Sequence, residues 1–147
     1  IKISGCKLHR NRIRDPKTMN YASANSDLTS LRSPCLATTL AIAKRLAKTT
    51  GNTATLNRAI VDFKDQHGES LCVHFDGPVA RVLILGGAAE CSASQYRKIA
   101  GLLAQKLTSM SISQAAVHLL GTKIKGQSIA WKAQALMQAM SHASYRF

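Results

Sequence analysis

Six cations fall within the first seventeen positions: Lys2, Lys7, Arg10, Arg12, Arg14 and Lys17. Their chemistry is phosphate neutralisation. Each reaches a backbone phosphate without a fold to hold it, and such contacts supply sequence-independent affinity for nucleic acid. Lys44, Arg45 and Lys48 form a second cluster at helical spacing, and Lys123, Lys125 and Lys132, with Arg146 beyond, form a third. No aromatic residue stands in the N-terminal run, and the chain has only one Trp, three Tyr and three Phe. Backbone or shape recognition is therefore expected ahead of base stacking. The run also has plainer readings, a targeting sequence or a solvated tail, since targeting peptides are Arg-rich and acid-poor as well.

Other chemistry finds little material. Gly86-Gly87 closes an apolar run ahead of a helical stretch, where backbone N–H groups can cradle a phosphate. The competing reading is a tight connection that requires small residues. No GxGxxG or GxxxxGK[ST] pattern accompanies the pair. The histidines are His9, His67, His74, His118 and His142, none paired at the i, i+4 spacing of a helical metal site. His74 and His118 fall inside expected strands, as packing or hydrogen-bonding residues. Asp62, Asp65 and Glu69 cluster around one turn, where solvated loop carboxylates are expected. A GxSxG elbow is absent. The four cysteines, Cys6, Cys35, Cys72 and Cys91, form no CxxC pair and read as reduced thiols, with two disulfides the alternative. Neither a catalytic residue, a metal site nor a cofactor is expected.

The 147 residues match the size of one domain, and a hydrophobic content of 46% with 18% charged residues is globular composition. Twenty Lys+Arg against seven Asp+Glu give a net charge of +13, which calls for an anionic partner. No apolar run is long enough to span a membrane. The charge is uneven: +5 over residues 1–34, +3 over 35–68, zero over 69–105 and +5 over 106–147. Its neutral stretch is the most strand-like. A start at Ile1 fits a processed organellar protein or a trimmed one.

Residues 1–34 read as a basic extension, with 1–8 able to pair as an edge strand and 20–33 polar. Ser33 then reads as an N-cap and Pro34 as the first residue of a helix. Leu36, Leu40, Ala43 and Ala47 give that helix its stripe, widened by Ile42 and Leu46, and Gly51-Asn52 ends it. A shorter helix is expected over 56–63. Strands at 71–75 and 81–85 flank Asp76-Gly77-Pro78, a hairpin signal. A helix over 95–110 follows, capped by Ser92 or Ser94, with Ile99, Leu102, Leu103 and Leu107 on one face. Residues 115–120 read as a strand, 121–126 as a basic loop, and 128–143 as a helix with Ile129, Leu136, Met137 and Met140 inward. Strands alternating with helices predict an α/β fold with helices on both faces of a mixed sheet. No internal repeat stands out.

From residue 35 onward the chain resembles the N-terminal, non-catalytic domain of the leucyl aminopeptidases, the cytosol aminopeptidase family. Four segments carry the resemblance. Asp62-Phe63-Lys64-Asp65-Gln66-His67-Gly68-Glu69 is similar to D-F-K-G-K-x-G-E, and Arg81-Val82-Leu83-Ile84-Leu85-Gly86 to R-V-L-L-V-G. Tyr96-Arg97-Lys98-Ile99-Ala100-Gly101 and the terminal Ala143-Ser144-Tyr145-Arg146-Phe147 complete the set; the latter is similar to the A/G-S/A-Y-R-F run that leads into the family's catalytic domain. The resemblance implies a macro-domain-like, three-layer α/β/α sandwich over 35–147. It also implies that the metal ligands of the N-T-D-A-E-G-R motif belong past Phe147, so no active-site position carries over and no enzyme is expected.

Three functions follow as expectations. The first is a non-catalytic RNA-binding subunit of a ribonucleoprotein, a lineage-specific mitochondrial ribosomal protein of the matrix. It would contact RNA, ribosomal RNA foremost, and neighbouring proteins, with no membrane span and no small-molecule substrate. The second is the oligomerisation or DNA-binding N-terminal domain of a complete metal-dependent peptidase. The third is an ADP-ribose-binding macro-like module. Under the first, changing Arg10, Arg12 and Arg14 together to Ala should weaken RNA association severalfold and flatten its salt dependence in a filter-binding titration.

Overall fold

Val82, Leu83, Ile84 and Leu85 are all fully buried. Side chains alternate across a strand, so four buried in succession require an apolar layer on each face of the sheet. The computed structural model of the chain, which describes residues 2–5, 19–22 and 31–144, supplies both layers. The elements are β1 (Lys2–Gly5), β2 (Met19–Ala22), β3 (Ser33–Thr38), α1 (Leu40–Thr50), α2 (Thr53–Ala59), β4 (Ser70–His74), β5 (Val79–Leu85), α3 (Ala93–Ser109), β6 (Gln114–His118) and α4 (Ile129–Ser144). They build a six-stranded mixed sheet in the order β2-β1-β6-β3-β5-β4. Strands β6, β3 and β5 run parallel, while β4 returns antiparallel along β5 and β1 antiparallel along β6.

Alternation along the central strands divides the core in two. Leu36, Val82, Ile84 and Ala116 join Ala43, Leu46, Ala47 and Leu56 beneath α1 and α2. Cys35, Ala37, Leu83, Leu85, Ala115 and Val117 join Tyr96, Ile99, Leu103, Leu107, Leu136 and Met140 beneath α3 and α4. The fold is thus the expected α/β sandwich.

Local signals place most of the boundaries. The Asp76-Gly77-Pro78 turn joins β4 and β5 as a hairpin, with Val73 opposite Val82. Ser92 caps α3 through a capping box shared with Gln95, and Gly51, at φ 76°, closes α1 in the left-handed region that favours glycine.

Four expectations fail. The helix expected over 56–63 is α2, Thr53–Ala59, and residues 60–63 lie beyond its end. Residues 33–38 form β3, the strand at the centre of the sheet, and the helix starts six residues after Pro34, capped by Thr39. Pro34 survives in the strand because of its register. The Ser33 N–H donates toward β5, to Pro78 O at 3.2 Å. The nitrogen of Pro34 therefore faces the other side, where pairing with β6 begins only at Leu36. Next, β1 is flanked by β2 and β6 and is not an edge, so two short pieces of the supposed extension contribute to the sheet. Finally, Ile129 is 64% exposed, and the buried isoleucine nearby is Ile124 of the preceding loop. Met137 is only half-buried.

One polar residue ties the helical layer to the hairpin. Buried Asn52 accepts from the Asp76 N–H at 3.0 Å and donates to the Asp76 carbonyl at 2.9 Å and to Thr50 Oγ1 at 2.7 Å. Asn52→Ala should remove about 2 kcal/mol of stability, a drop in Tm of roughly 6 °C for a chain of this size, measured by thermal denaturation.

Candidate nucleic-acid interface and the crevice beside it

The parallel strands β3 and β5 are neighbours whose following helices, α1 and α3, cover opposite faces of the sheet. Their carboxyl ends thus flank a topological switch point, where α/β folds commonly place ligands. Gly86-Gly87 leaves β5 at this point. Its donors are already engaged: the Gly86 N–H donates to Glu69 O at 2.9 Å, and the Gly87 N–H to Asp65 Oδ1 at 3.0 Å. A Cβ on Gly86 would overlap the Gln66 carbonyl, and one on Gly87 would stand 2.6 Å from His67 Nδ1. The glycines are small because residues 65–67 lie directly on them.

That loop is self-braced. Glu69 Oε2 accepts from the Lys64 N–H at 3.1 Å and the Gln66 N–H at 3.0 Å. Asp65 adopts φ 54°, at the position where the resembled stretch has glycine. Aspartate tolerates the left-handed region better than most residues. Asp65 and Glu69 are loop acids as expected from sequence, Asp65 exposed like Asp62 and Glu69 half-buried, and both also bind backbone N–H groups. Two of the four sequence segments that carry the resemblance, 62–69 and 81–86, form one interlocked unit.

Beyond β6 the chain is sewn to the end of β5. Thr122 Oγ1 donates to Ala88 O at 2.7 Å, the Lys123 N–H donates to Ala89 O at 3.0 Å, and the Cys91 N–H donates to Lys123 O at 3.1 Å. Tyr96 donates its hydroxyl to Leu119 O at 3.1 Å, and burial raises its pKa. Lys132 is only 8% exposed and directs Nζ to Leu120 O at 3.2 Å. Its charge is spent holding α4 to the end of β6, which removes it from the exposed cations. His74 and His118 lie in β4 and β6 as expected, but both side chains are exposed and neither packs in the core. Cys35, Cys72 and Cys91 are free thiols, and burial, reinforced by Cys72, pushes the Cys35 thiol up to about 11. Among the described residues no cluster of His, Cys, Asp and Glu is fit to hold a metal ion.

The remaining cations face outward. Lys44, Arg45 and Lys48 are exposed on α1, whose opposite side buries Ala43, Leu46 and Ala47. Among the described residues no ion pair holds any of the three. Lys123 and Lys125 are exposed in the loop after β6. The backbone of Lys2 pairs with Ala22 and Ala116. Lys7, Arg10, Arg12, Arg14 and Lys17 lie outside the described residues, as does Arg146. Sequence reasoning passed over Arg58 on α2 and Arg97 and Lys98 on α3, all exposed. Arg97 sits 5.4 Å over the Trp131 ring, a cation–π contact between two helices that no local pattern announces. Since α1 and α3 cover opposite faces, cations clothe both sides of the sandwich.

The geometry separates the two readings of the glycine pair. Gly86→Ala should destabilise by roughly 2–3 kcal/mol, because backbone and not a flexible side chain must yield. Asp65→Gly, which keeps the backbone relaxed, should be milder than Asp65→Ala in the same denaturation assay. Calorimetry with ADP-ribose should give no binding heat.

Comparison with protein families matches residues 33–147 to the N-terminal domain of the cytosol aminopeptidase family. Comparison with individual curated proteins gives no match. The matched span opens on β3 and takes in both helical layers, and the 147 residues contain no catalytic domain of that family. With the match covering well over half of its length, the chain belongs to the cytosol aminopeptidase family through that family's N-terminal domain.

Proposed function

We propose that this chain is a non-catalytic, RNA-binding structural subunit of a ribonucleoprotein. The observation that carries the reading is the exposed cation row Lys44, Arg45 and Lys48 on α1, free of ion pairs among the described residues, in a chain of net charge +13. A surface of this kind attracts phosphate at long range and binds it without selecting a base. Two features support a structural over a catalytic role. The family match is to the N-terminal domain. The Gly86 and Gly87 N–H groups at the switch point are already engaged by Glu69 O and Asp65 Oδ1. The particle we propose is a mitochondrial ribosome in the matrix, and the support for that setting is the Arg-rich, acid-poor N-terminal segment.

The family match favours a second reading, in which this is the amino-terminal domain of a complete metal-dependent aminopeptidase. Reading the gene past Phe147 decides it: a following N-T-D-A-E-G-R motif establishes the peptidase, and its absence removes it.

RNA binding measured across salt concentrations tests the first reading. The logarithm of affinity should fall linearly with the logarithm of salt. Lys44→Ala, Arg45→Ala and Lys48→Ala combined should weaken binding roughly tenfold at low salt and lower the slope by about two to three. A flat salt dependence, or a triple variant that binds like the parent, overturns the proposal.

A further inference from the structure

Strand β4 ends the sheet, and among the described residues no strand pairs with its outer side. Its ladder to β5 shows which backbone groups remain. Gly86 donates to Glu69 O and Phe75 donates to Ala80 O, and between these two bonds Leu71 stands opposite Ile84 and Val73 opposite Val82. Bonding alternates residue by residue along an antiparallel strand. Residues 69, 71, 73 and 75 therefore turn their N–H and C=O groups toward β5, and Ser70, Cys72 and His74 turn theirs outward.

Natural sheets guard such edges with lysine, proline or a bulge. This one has none: Ser70-Leu71-Cys72-Val73-His74 contains no charged residue or proline, and its register with β5 is unbroken. Charge points to the occupant. A second copy of a +13 chain is repelled by most of the surface, but residues 69–85 carry only Glu69, Asp76 and Arg81. Strand β4 thus lies in the stretch of the chain with the least positive charge, where Arg81 is the one cation against two carboxylates. The edge is also self-complementary. A two-fold axis through Cys72 sets Cys72 opposite its own counterpart and Ser70 opposite the second copy's His74, so every outward donor finds an acceptor.

We propose that β4 pairs antiparallel with β4 of a second copy about an axis through Cys72, joining two sheets into one. Because the rest of the surface repels, the pairing strengthens when charge is screened. Its salt dependence runs opposite to that of RNA binding. A polyanion that covers the cations favours the pairing too.

Sedimentation velocity on the full chain tests this directly. The dimer dissociation constant should fall roughly threefold or more as sodium chloride rises from about 0.1 M to about 0.5 M and the Debye length shrinks below 10 Å. His74→Pro deletes an outward N–H and leaves the ladder to β5 intact. It should abolish the dimer while the circular dichroism spectrum and Tm stay close to the parent's. A variant retaining Cys72 alone (Cys6→Ser, Cys35→Ala, Cys91→Ser) provides a covalent readout. Opposed Cα atoms in a hydrogen-bonded antiparallel pair lie roughly 5.5 Å apart, within disulfide reach. Diamide should therefore link two chains, taking up the two thiol hydrogens as it is reduced to the hydrazine. A monomer at every salt concentration, a dimer that survives His74→Pro, or a dimer that diamide fails to cross-link overturns the proposal. If the Cys72-only variant does not fold, sedimentation of parent and His74→Pro decides alone.

Discussion

The burial of β5 on both faces is the constraint from which the rest of the molecule follows. Val82 and Ile84 need one helical layer, and Leu83 and Leu85 need another. Each buried aliphatic side chain of this size contributes roughly 1.5–3 kcal/mol, so neither layer is dispensable. The sheet between two helical layers has almost no place for charge. Within β3, β5 and β6 the only charged side chain is Arg81, beside the hairpin. The cations of the chain are displaced onto outer helix faces and loops, where water or a polyanion solvates them. A strongly cationic surface around a neutral core is thus a consequence of the layering as much as of composition.

The same layering creates a crevice, since α1 and α3 leave neighbouring strands toward opposite faces. There the chain engages its own donors. Asp65 supplies the carboxylate that an incoming anion would otherwise supply to the Gly87 N–H, and Glu69 braces the loop that brings it there. With these two donors engaged internally, the switch point presents no free glycine N–H. The exposed row on α1 and the outer side of β4, which no strand among the described residues pairs with, are surfaces of opposite character. One is cationic; the other carries no charged residue within Ser70–His74.

Several site residues were legible in sequence because their roles are local. Lys44, Arg45 and Lys48 fall off an apolar stripe and are exposed for that reason, and Ser92 caps because three positions later stands Gln95. Others were misread because long-range pairing decides them. Lys132 has the type and neighbours of a surface cation, and it is buried only because the end of β6 sets a carbonyl within its reach. Asp65 and Glu69 are the loop acids they read as, but only a residue some twenty positions away brings an amide donor to the first of them. His74 and His118 sit in strands, but at positions that the helical layers do not cover.

By itself the sequence determined the fold class, the hairpin, most helix ends and the excess of positive charge, since each is written in spacing of two or 3.6 residues, in turn residues or in composition. Its motifs also pointed to the family. Only the tertiary structure decided that Ser33–Thr38 is the central strand and no part of a helix. A short apolar run has no intrinsic preference strong enough to choose, and the empty place between β5 and β6 made the choice. The order of strands, the engagement of the Gly86 and Gly87 donors and the place of β4 at the end of the described sheet have the same origin: each depends on which distant segments arrive side by side, and no local pattern encodes that.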